Sequence, residues 1–554
     1  MNNIHPLKIQ FFIAVTAALL FIPFLGAVHL FDWDEINFAE SAREMIVTGD
    51  YLTVQINFLP FWEKPPLFIW MQVLSMKIFG INEFAARFPN AICGIVTLLV
   101  LFNIGRKLRD NQFGVLWALA YAGSVLPFFY FKSGIIDPWF NLFIFLGIYY
   151  LMLYSNPDDK NKYRNIIAAA IFAGLAVLTK GPVGFLLITL TAAVYLVIIR
   201  FKIKVKFSEV VIYLIVFVLV GGFWFMLQIL NGNYDILVDF IKYQVRLFQT
   251  QDAGHGGFPG YHLVVFLIGV FPASVLAIKS FRNEGLEDSS YKLMKTWMVI
   301  LFWVVLILFS VVRTKIIHYS SLAYFPLTFL AANFVSNAFA AKAEWSKWQS
   351  ILIIFVSIII ALPVTALQFV DKYKNEIIAK DWIKDEFAVA NLGAEANWTG
   401  VEFLPGLLFL FAIIMTFVFI KKAELVTRAV SLWIITLLFT FSVLFFTVPK
   451  IEKYSQNALI EFLKSIQNKD AYLINMYFKS YAVYFYGRTK PPADNNYYDR
   501  NWLLTGDIDK DVYFVTKIHK THQFNEYSEV KKIGEKNGYV FYFREKKDDF
   551  PKNP

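Results

Sequence analysis

Thirteen apolar runs, each about 17–22 residues long and so of membrane-spanning length, recur along the chain. They fall near 11–30, 87–105, 112–131, 136–154, 165–179, 182–199, 209–230, 261–278, 296–312, 320–339, 350–370, 403–420 and 427–448, with a short pair flanking Lys180. The pattern predicts a polytopic α-helical membrane protein with roughly thirteen transmembrane helices. Between the first two runs lies segment 31–87, the longest early stretch that is not simply apolar. Asp32, Asp34 and Glu35 open it, and Phe38, Ala42, Met45 and Ile46 then share one helical face. Gly49-Asp50 ends that pattern, and Trp62-Glu63-Lys64-Pro65-Pro66 leads into a second helix, with Pro66 suited to its first turn. After residue 448 the apolar runs stop. Short β-like runs at 471–476, 481–487, 511–516 and 538–543 follow a helical pattern over 451–466. The expected division is a membrane module, 1–448, and a small α/β domain, 449–554.

Composition agrees with the pattern. Of 554 residues 57% are hydrophobic, above the roughly 45–50% of soluble chains, and mean hydropathy is +0.52. The first run follows one lysine and has no convincing small-residue cleavage site, so it reads as a helix that stays. A single cysteine, Cys93, allows no intrachain disulfide and no cysteine-based metal site. The net charge of +10 would suit nucleic acid, but the distribution gives a different reason. If the N-terminus is cytoplasmic, the six inner loops hold nineteen Lys or Arg, whereas segment 31–87 holds four. That is the positive-inside bias, and nucleic acid drops out as a partner. An Ile-, Asn- and Lys-rich composition points to a bacterial cytoplasmic membrane.

This orientation gathers the polar residues with chemical potential on the outer, periplasmic face. Asp34, Glu63, Lys64, Lys132, Asp137, Lys180, His255, His262, Lys315 and His318 all fall on it or at its rim. The inner loops contain no Walker-type phosphate cradle, which argues against ATP-driven chemistry there. Charges at a membrane interface are costly unless paired or used. Each also has a structural reading. Asp32 could cap a helix whose Glu35 reaches back, and Lys64 could reach the interface as a solvated charge. Asp137 could cap a span, Lys180 could end one, and Lys315 could be a rim charge. The sequon Asn397-Trp398-Thr399, in an outer loop over 371–399, is a weak match.

The run DEINFAESAREMIVTGDYLT and then FWEKPPLFIW resembles the GT-C fold glycosyltransferases that use polyprenyl-phosphate sugars. The likeness is greatest to the aminoarabinose transferase of lipid A and the protein O-mannosyltransferases. Asp137-Pro138, Leu178-Thr179-Lys180-Gly181-Pro182, Arg313 through His318-Tyr319 and Ser480 through Tyr486 follow in the family's order. Two positions depart: Asn37 stands where the relatives carry arginine, and Ile316-Ile317-His318 where they favour Leu-Pro-His. The resemblance implies transfer of a sugar, with inversion, to a lipid, glycan or protein acceptor, a lipid A-type acceptor being slightly favoured. It implies Asp34 and Glu35 as catalytic carboxylates, with Lys64, Lys180 and Lys315 on the donor phosphate. Asp137, His318 and Tyr319 would line the substrate cavity. No cofactor is required, but Glu63 and His255 could hold a divalent metal. The competing reading is a transporter or flippase for an anionic or lipid-linked substrate, because intramembrane charges also mark substrate pathways. The absence of an internal repeat weighs against it.

Overall fold

The computed structural model describes residues 4–249, 256–282, 289–340, 344–422 and 424–546. Each of the thirteen apolar runs contains helix, although the first leaves it after Phe21. Six helices are long and apolar enough to cross a membrane: Glu83–Leu108, Asp137–Ser155, Lys162–Lys180, Ser289–Val311, Lys347–Lys372 and Leu425–Lys453. Two bent pairs raise the number to eight. Phe207–Gly221 and Phe223–Leu230 meet at 58°, and Tyr261–Gly269 and Ala273–Phe281 meet at 109°. The second break falls at Pro272, which has no N–H for a helical bond. Pro6–Phe21, Val183–Ile198 and Leu404–Phe419 are apolar but shorter. The described helices thus supply six to eight spans by length, fewer than the thirteen the runs suggest, because several runs break or stop early.

Small residues set the closest approaches in the bundle. A Cβ at Gly105 would come within 2.8 Å of the Gly114 Cα, so the Glu83–Leu108 and Asn111–Ala122 helices fold back tightly on each other. Elsewhere large rings fill the core, as where Phe145 stacks on Phe325 at 4.3 Å.

Segment 31–87 forms the expected pair of helices. Asp34–Thr48 ends at Gly49, whose φ of 74° is the left-handed conformation glycine adopts without strain. Leu67–Phe79 starts directly after Pro66. The first helix differs from expectation in its surroundings. It is buried on every side from Glu35 to Met45, including its polar face, because the C-terminal segment packs over it. Arg43 donates to Glu40 through Nε and Nη2, at 2.7 and 2.6 Å, and to the Thr489 carbonyl at 2.8 Å. Glu44 accepts the N–H groups of Asn57 and Phe58. Burial and the neighbouring Glu40 push the Glu44 carboxyl up to about 9. A buried carboxyl held protonated beside a charged partner is the cheaper arrangement.

The C-terminal segment carries a four-stranded sheet: Ala471–Asn475, Asp511–Lys517, Tyr539–Arg544 and Lys531–Lys536 in spatial order. The first pair is parallel and the others antiparallel. Alternation divides its side chains between two cores. Leu473, Tyr513, Val515 and Phe541 share a core with Phe38 and Phe68 of the two helices in segment 31–87. Tyr472, Ile474, Val512, Phe514 and Val540 face the other way. Three of the four expected strands form. Run 481–487 is instead a helix, Ala482–Gly487, whose Ala482, Val483, Phe485 and Tyr486 are buried. Packing on the Asn457–Ile466 helix overrides its aromatic β-propensity. The edge strand Lys531–Lys536 escapes the sequence pattern because it is mostly exposed and polar, as edge strands that avoid further pairing are. Asn537-Gly538, both at positive φ, turns it into Tyr539–Arg544.

Candidate active site

Four of the candidate residues form one chain of contacts. Asp34 opens the helix Asp34–Thr48, Asp137 opens the span Asp137–Ser155, Lys180 ends Lys162–Lys180, and His318 lies in the 3-10 turn Ile317–Ala323. His318 Nε2 stands 3.4 Å from an Asp34 carboxylate oxygen and 3.9 Å from one of Asp137. The other Asp137 oxygen accepts from Lys180 Nζ at 2.6 Å. Lys180 also lies 5.0 Å over the Tyr319 ring, so Tyr319 joins the cluster through a cation–π contact. The two carboxylates differ in access. The Asp34 side chain is 42% exposed and that of Asp137 is 3% exposed. Only Asp34 can meet an incoming group directly.

Lys64 approaches from segment 31–87. It lines a cavity of about 80 Å³ together with Lys180, Tyr319, Phe140 and Gln244, and its Nζ lies 5.1 Å from the Tyr243 ring. Burial lowers the Lys64 ammonium from its ordinary range, opposed by Glu63 and reinforced by Lys180. Lys180 is already paired with Asp137, whereas Lys64 makes no ion pair among the described residues, and an anion in this small space would compensate it. Burial likewise lowers His318, against the pull of Asp137. A larger cavity of about 530 Å³ opens on the other side of Asp34 and His318. It is walled by apolar side chains, among them Phe24, Leu126, Phe129, Phe441 and Phe445.

Two of the sequence-derived assignments need correction. Glu35 does not reach the cluster. Its oxygens accept from Arg87 at 2.9 and 2.8 Å, from the Phe31 N–H at 2.9 Å and from the Gly134 N–H at 2.5 Å. Burial alone would raise its carboxyl, but Arg87 and the two N–H groups bring it below the ordinary range. A carboxylate so fully bonded anchors the helix start and has no lone pair left for substrate. Lys315 is held elsewhere too. Its Nζ donates to the carbonyls of Phe309, Ser310 and Val312 at 2.8, 2.7 and 2.6 Å, completing the C-terminus of Ser289–Val311. Lys132 does the same for Pro6–Phe21, donating to Leu20, Phe21 and Pro23. Lys315→Met should therefore lower thermal stability, by about 1–3 kcal/mol for the orphaned carbonyls, and leave the donor KM unchanged. A melt in detergent beside donor kinetics checks both halves.

Asp32 does not cap the helix either. The residue at that position is Trp33, with no side-chain bond, and Asp32 instead accepts from the Tyr481 N–H at 3.2 Å. Glu63 accepts from the Tyr243 hydroxyl at 3.1 Å, and His255 lies outside the described residues. Among the described residues no group of three or more His, Cys, Asp or Glu could hold a metal ion. The sequence reading missed Tyr243, which belongs to the amphipathic helix Tyr234–Gln249. Its 3.6-residue periodicity was the available signal. It missed Arg87 as well, which sits just inside a span and pairs across 52 residues of sequence.

Known proteins resemble this chain in sequence and in fold. Residues 63–224 match the family described as dolichyl-phosphate-mannose-protein mannosyltransferase. An uncharacterized protein of Aquifex aeolicus is 28% identical over 372 residues, covering 65% of this chain and 70% of that one. The undecaprenyl phosphate-alpha-4-amino-4-deoxy-L-arabinose arabinosyl transferase 1 of Proteus mirabilis is 26% identical over 329 residues. That match covers 57% of each chain, so the likeness spans little more than half of the named relative. The crystal structure of ArnT from Cupriavidus metallidurans bound to undecaprenyl phosphate superposes with a TM-score of 0.75 at 16% identity. The superposition covers 97% of this chain and 98% of that one. In fold the chain matches that membrane enzyme over nearly its whole length, and in sequence it resembles the GT-C glycosyltransferases, the aminoarabinose transferases and protein mannosyltransferases among them.

Proposed function

We propose that this enzyme moves a sugar from a polyprenyl-phosphate donor to an acceptor at the periplasmic face of the bacterial cytoplasmic membrane, with inversion at the anomeric carbon. In this reading residues 449–554 form an outer domain over a membrane module. The observation that carries it is the row Asp34, His318, Asp137 and Lys180, with Lys64 across a small cavity from Lys180. A sugar on a lipid phosphate leaves as an anion, and the two lysines are placed to neutralise the charge that develops on it. The acceptor oxygen attacks the anomeric carbon as the bond to the phosphate oxygen breaks, and its proton passes to Asp34. His318 stands between the two carboxylates, and Asp137 holds Lys180 in place. The apolar cavity beside Asp34 suits the hydrocarbon part of a lipid acceptor, which favours a lipid A-type acceptor over a protein. An acceptor phosphate would need orientation from Asp34 more than deprotonation.

Lys64→Ala should raise the donor KM and lower kcat together, because the lysine meets phosphate charge in the ground state and more of it in the transition state. Steady-state kinetics with varied donor check this, and an unchanged kcat would leave Lys64 as a binding residue only. The acceptor itself is found by mass spectrometry of envelope lipids and glycoproteins from cells with and without the gene. A sugar-sized mass lost from a lipid in the deletion strain is the expected result. Loss from glycoproteins alone would move the acceptor to protein.

A further inference from the structure

A second cavity, of about 550 Å³, lies outside the cluster, between the C-terminal sheet and the helix Glu386–Leu392. It shares Phe31, Asp32 and Trp33 with the apolar cavity beside Asp34. Two lysines reach it. Lys479 lies 4.7 Å from the Trp33 ring, and Lys517 lies 4.2 Å from Phe387 and 5.6 Å from Phe478. Neither makes an ion pair or a hydrogen bond among the described residues. The carboxylates nearest them are otherwise engaged. Asp32 bonds to the Ser480 hydroxyl and the Tyr481 N–H, and Asp385 caps its helix through the N–H groups of Phe387 and Ala388.

The cavity also holds an unmet polar group. Asn391, 7% exposed, lines it; the amide donates to the Phe387 carbonyl, but Oδ1 has no partner. A buried acceptor without a donor is costly, and a ligand hydroxyl would recover that cost. The floor is fixed by bonds between the chain at 30–32 and Gln456, whose amide donates to the Leu30 carbonyl at 2.6 Å. Free ammonium groups suit an anion, exposed ring faces suit the apolar face of a pyranose, and an orphan carbonyl oxygen suits its hydroxyl. The lysines could instead be held only by their cation–π contacts, and that alternative has a different experimental outcome.

We propose that this cavity is the headgroup subsite for the acceptor, taking a phosphorylated saccharide between Lys479 and Lys517 with its sugar against Trp33 and Phe478. The proposal rests on the transferase reading above. An amphipathic acceptor would lie across segment 31–33, its hydrocarbon in the apolar cavity and its charged sugar in this one. Its reacting group would then pass Asp34, two residues farther along the chain.

The test uses the full chain in nanodiscs, with glucosamine 1-phosphate as probe and glucosamine and inorganic phosphate as controls. Saturation-transfer NMR should detect the sugar phosphate well above either control. The double variant Lys479→Gln/Lys517→Gln should weaken the probe by at least about tenfold, given the strength of charged hydrogen bonds, and the Arg/Arg variant should retain it. In turnover the double Gln variant should raise the acceptor KM by a similar factor, with donor KM, saturated kcat and melting temperature unchanged. Loss of probe binding with an unaltered acceptor KM would overturn the proposal, marking a site for a free sugar phosphate. A lowered melting temperature with intact probe binding would also overturn it, leaving the lysines as structural cation–π partners. If wild-type protein transferred no sugar yet bound the probe through these lysines, the transferase reading would fail while the saccharide site stood.

Discussion

Asp34→Asn should lower turnover by about 10²–10⁴, the usual contribution of a positioned general base, with donor affinity little changed. The substitution keeps the shape of the side chain and removes only its charge and basicity. Asp34 is the one exposed carboxylate of the cluster, while Asp137 is buried and bonded to Lys180. The loss should therefore appear in kcat. The helix start should survive, because its anchor is the bonded Glu35 and not Asp34. Unchanged melting temperature and monodispersity would establish that folding is intact. A well-folded variant with a near-normal rate on a hydroxyl acceptor would remove Asp34 as the base. The acceptor must be known first, since on a phosphate acceptor no base is needed.

The largest effect on stability is expected at Arg87. Its guanidinium donates to both Glu35 oxygens and to the carbonyls of Leu25, Val28 and His29. It thereby ties the segment that follows the first helix, the start of the second and one span together. Arg87→Met leaves Glu35 charged, buried and unpaired, which costs about 3–5 kcal/mol in comparable cases. Little monodisperse protein should be recovered. The pH dependence should also reverse. In the wild type Arg87 holds the Glu35 carboxyl low, so this stabilisation is present above the ordinary carboxylate range and is lost only as pH falls through the lowered value. In Arg87→Met burial would dominate and raise the Glu35 carboxyl. The folded state would then bind the proton more tightly, and stability would rise as pH falls. Adding Glu35→Gln should recover part of the loss at neutral pH. A double variant no more stable than Arg87→Met alone would show that the carbonyl bonds, not the carboxylate, dominate.

Much of this site was legible because membrane chemistry restricts where charge can go. Asp34, Asp137, Lys180 and His318 stood out as charges at the ends of apolar runs, where an unpaired group is expensive, and Lys64 stood out before the two prolines of segment 31–87. What sequence could not give was the direction in which each side chain turns. Lys315 and Lys180 look alike on paper, each next to a span. Lys315 turns back onto the carbonyls of its own preceding helix, and Lys180 reaches Asp137 on another. Glu35 and Asp34 are adjacent in sequence, but successive helix positions point about 100° apart, so one meets Arg87 and the other the cavity. The C-terminal sheet was partly legible for a related reason. Its central strands are near-continuous apolar runs buried on both faces, whereas the edge strand Lys531–Lys536 is polar and mostly exposed and carries no such signal. The number of spans was least legible, because composition alone does not show where a run such as 261–278 bends.

The central claim, that the sugar comes from a lipid phosphate, meets its most direct test in donor choice. Purified full-length protein in proteoliposomes would be offered a radiolabelled polyprenyl-phosphate sugar or the matching nucleotide sugar, with envelope lipid extract as acceptor. Label should pass to the extract only from the polyprenyl-phosphate sugar, and Lys64→Ala should weaken that transfer. Turnover of the nucleotide sugar in the complete absence of polyprenyl phosphate would contradict the account.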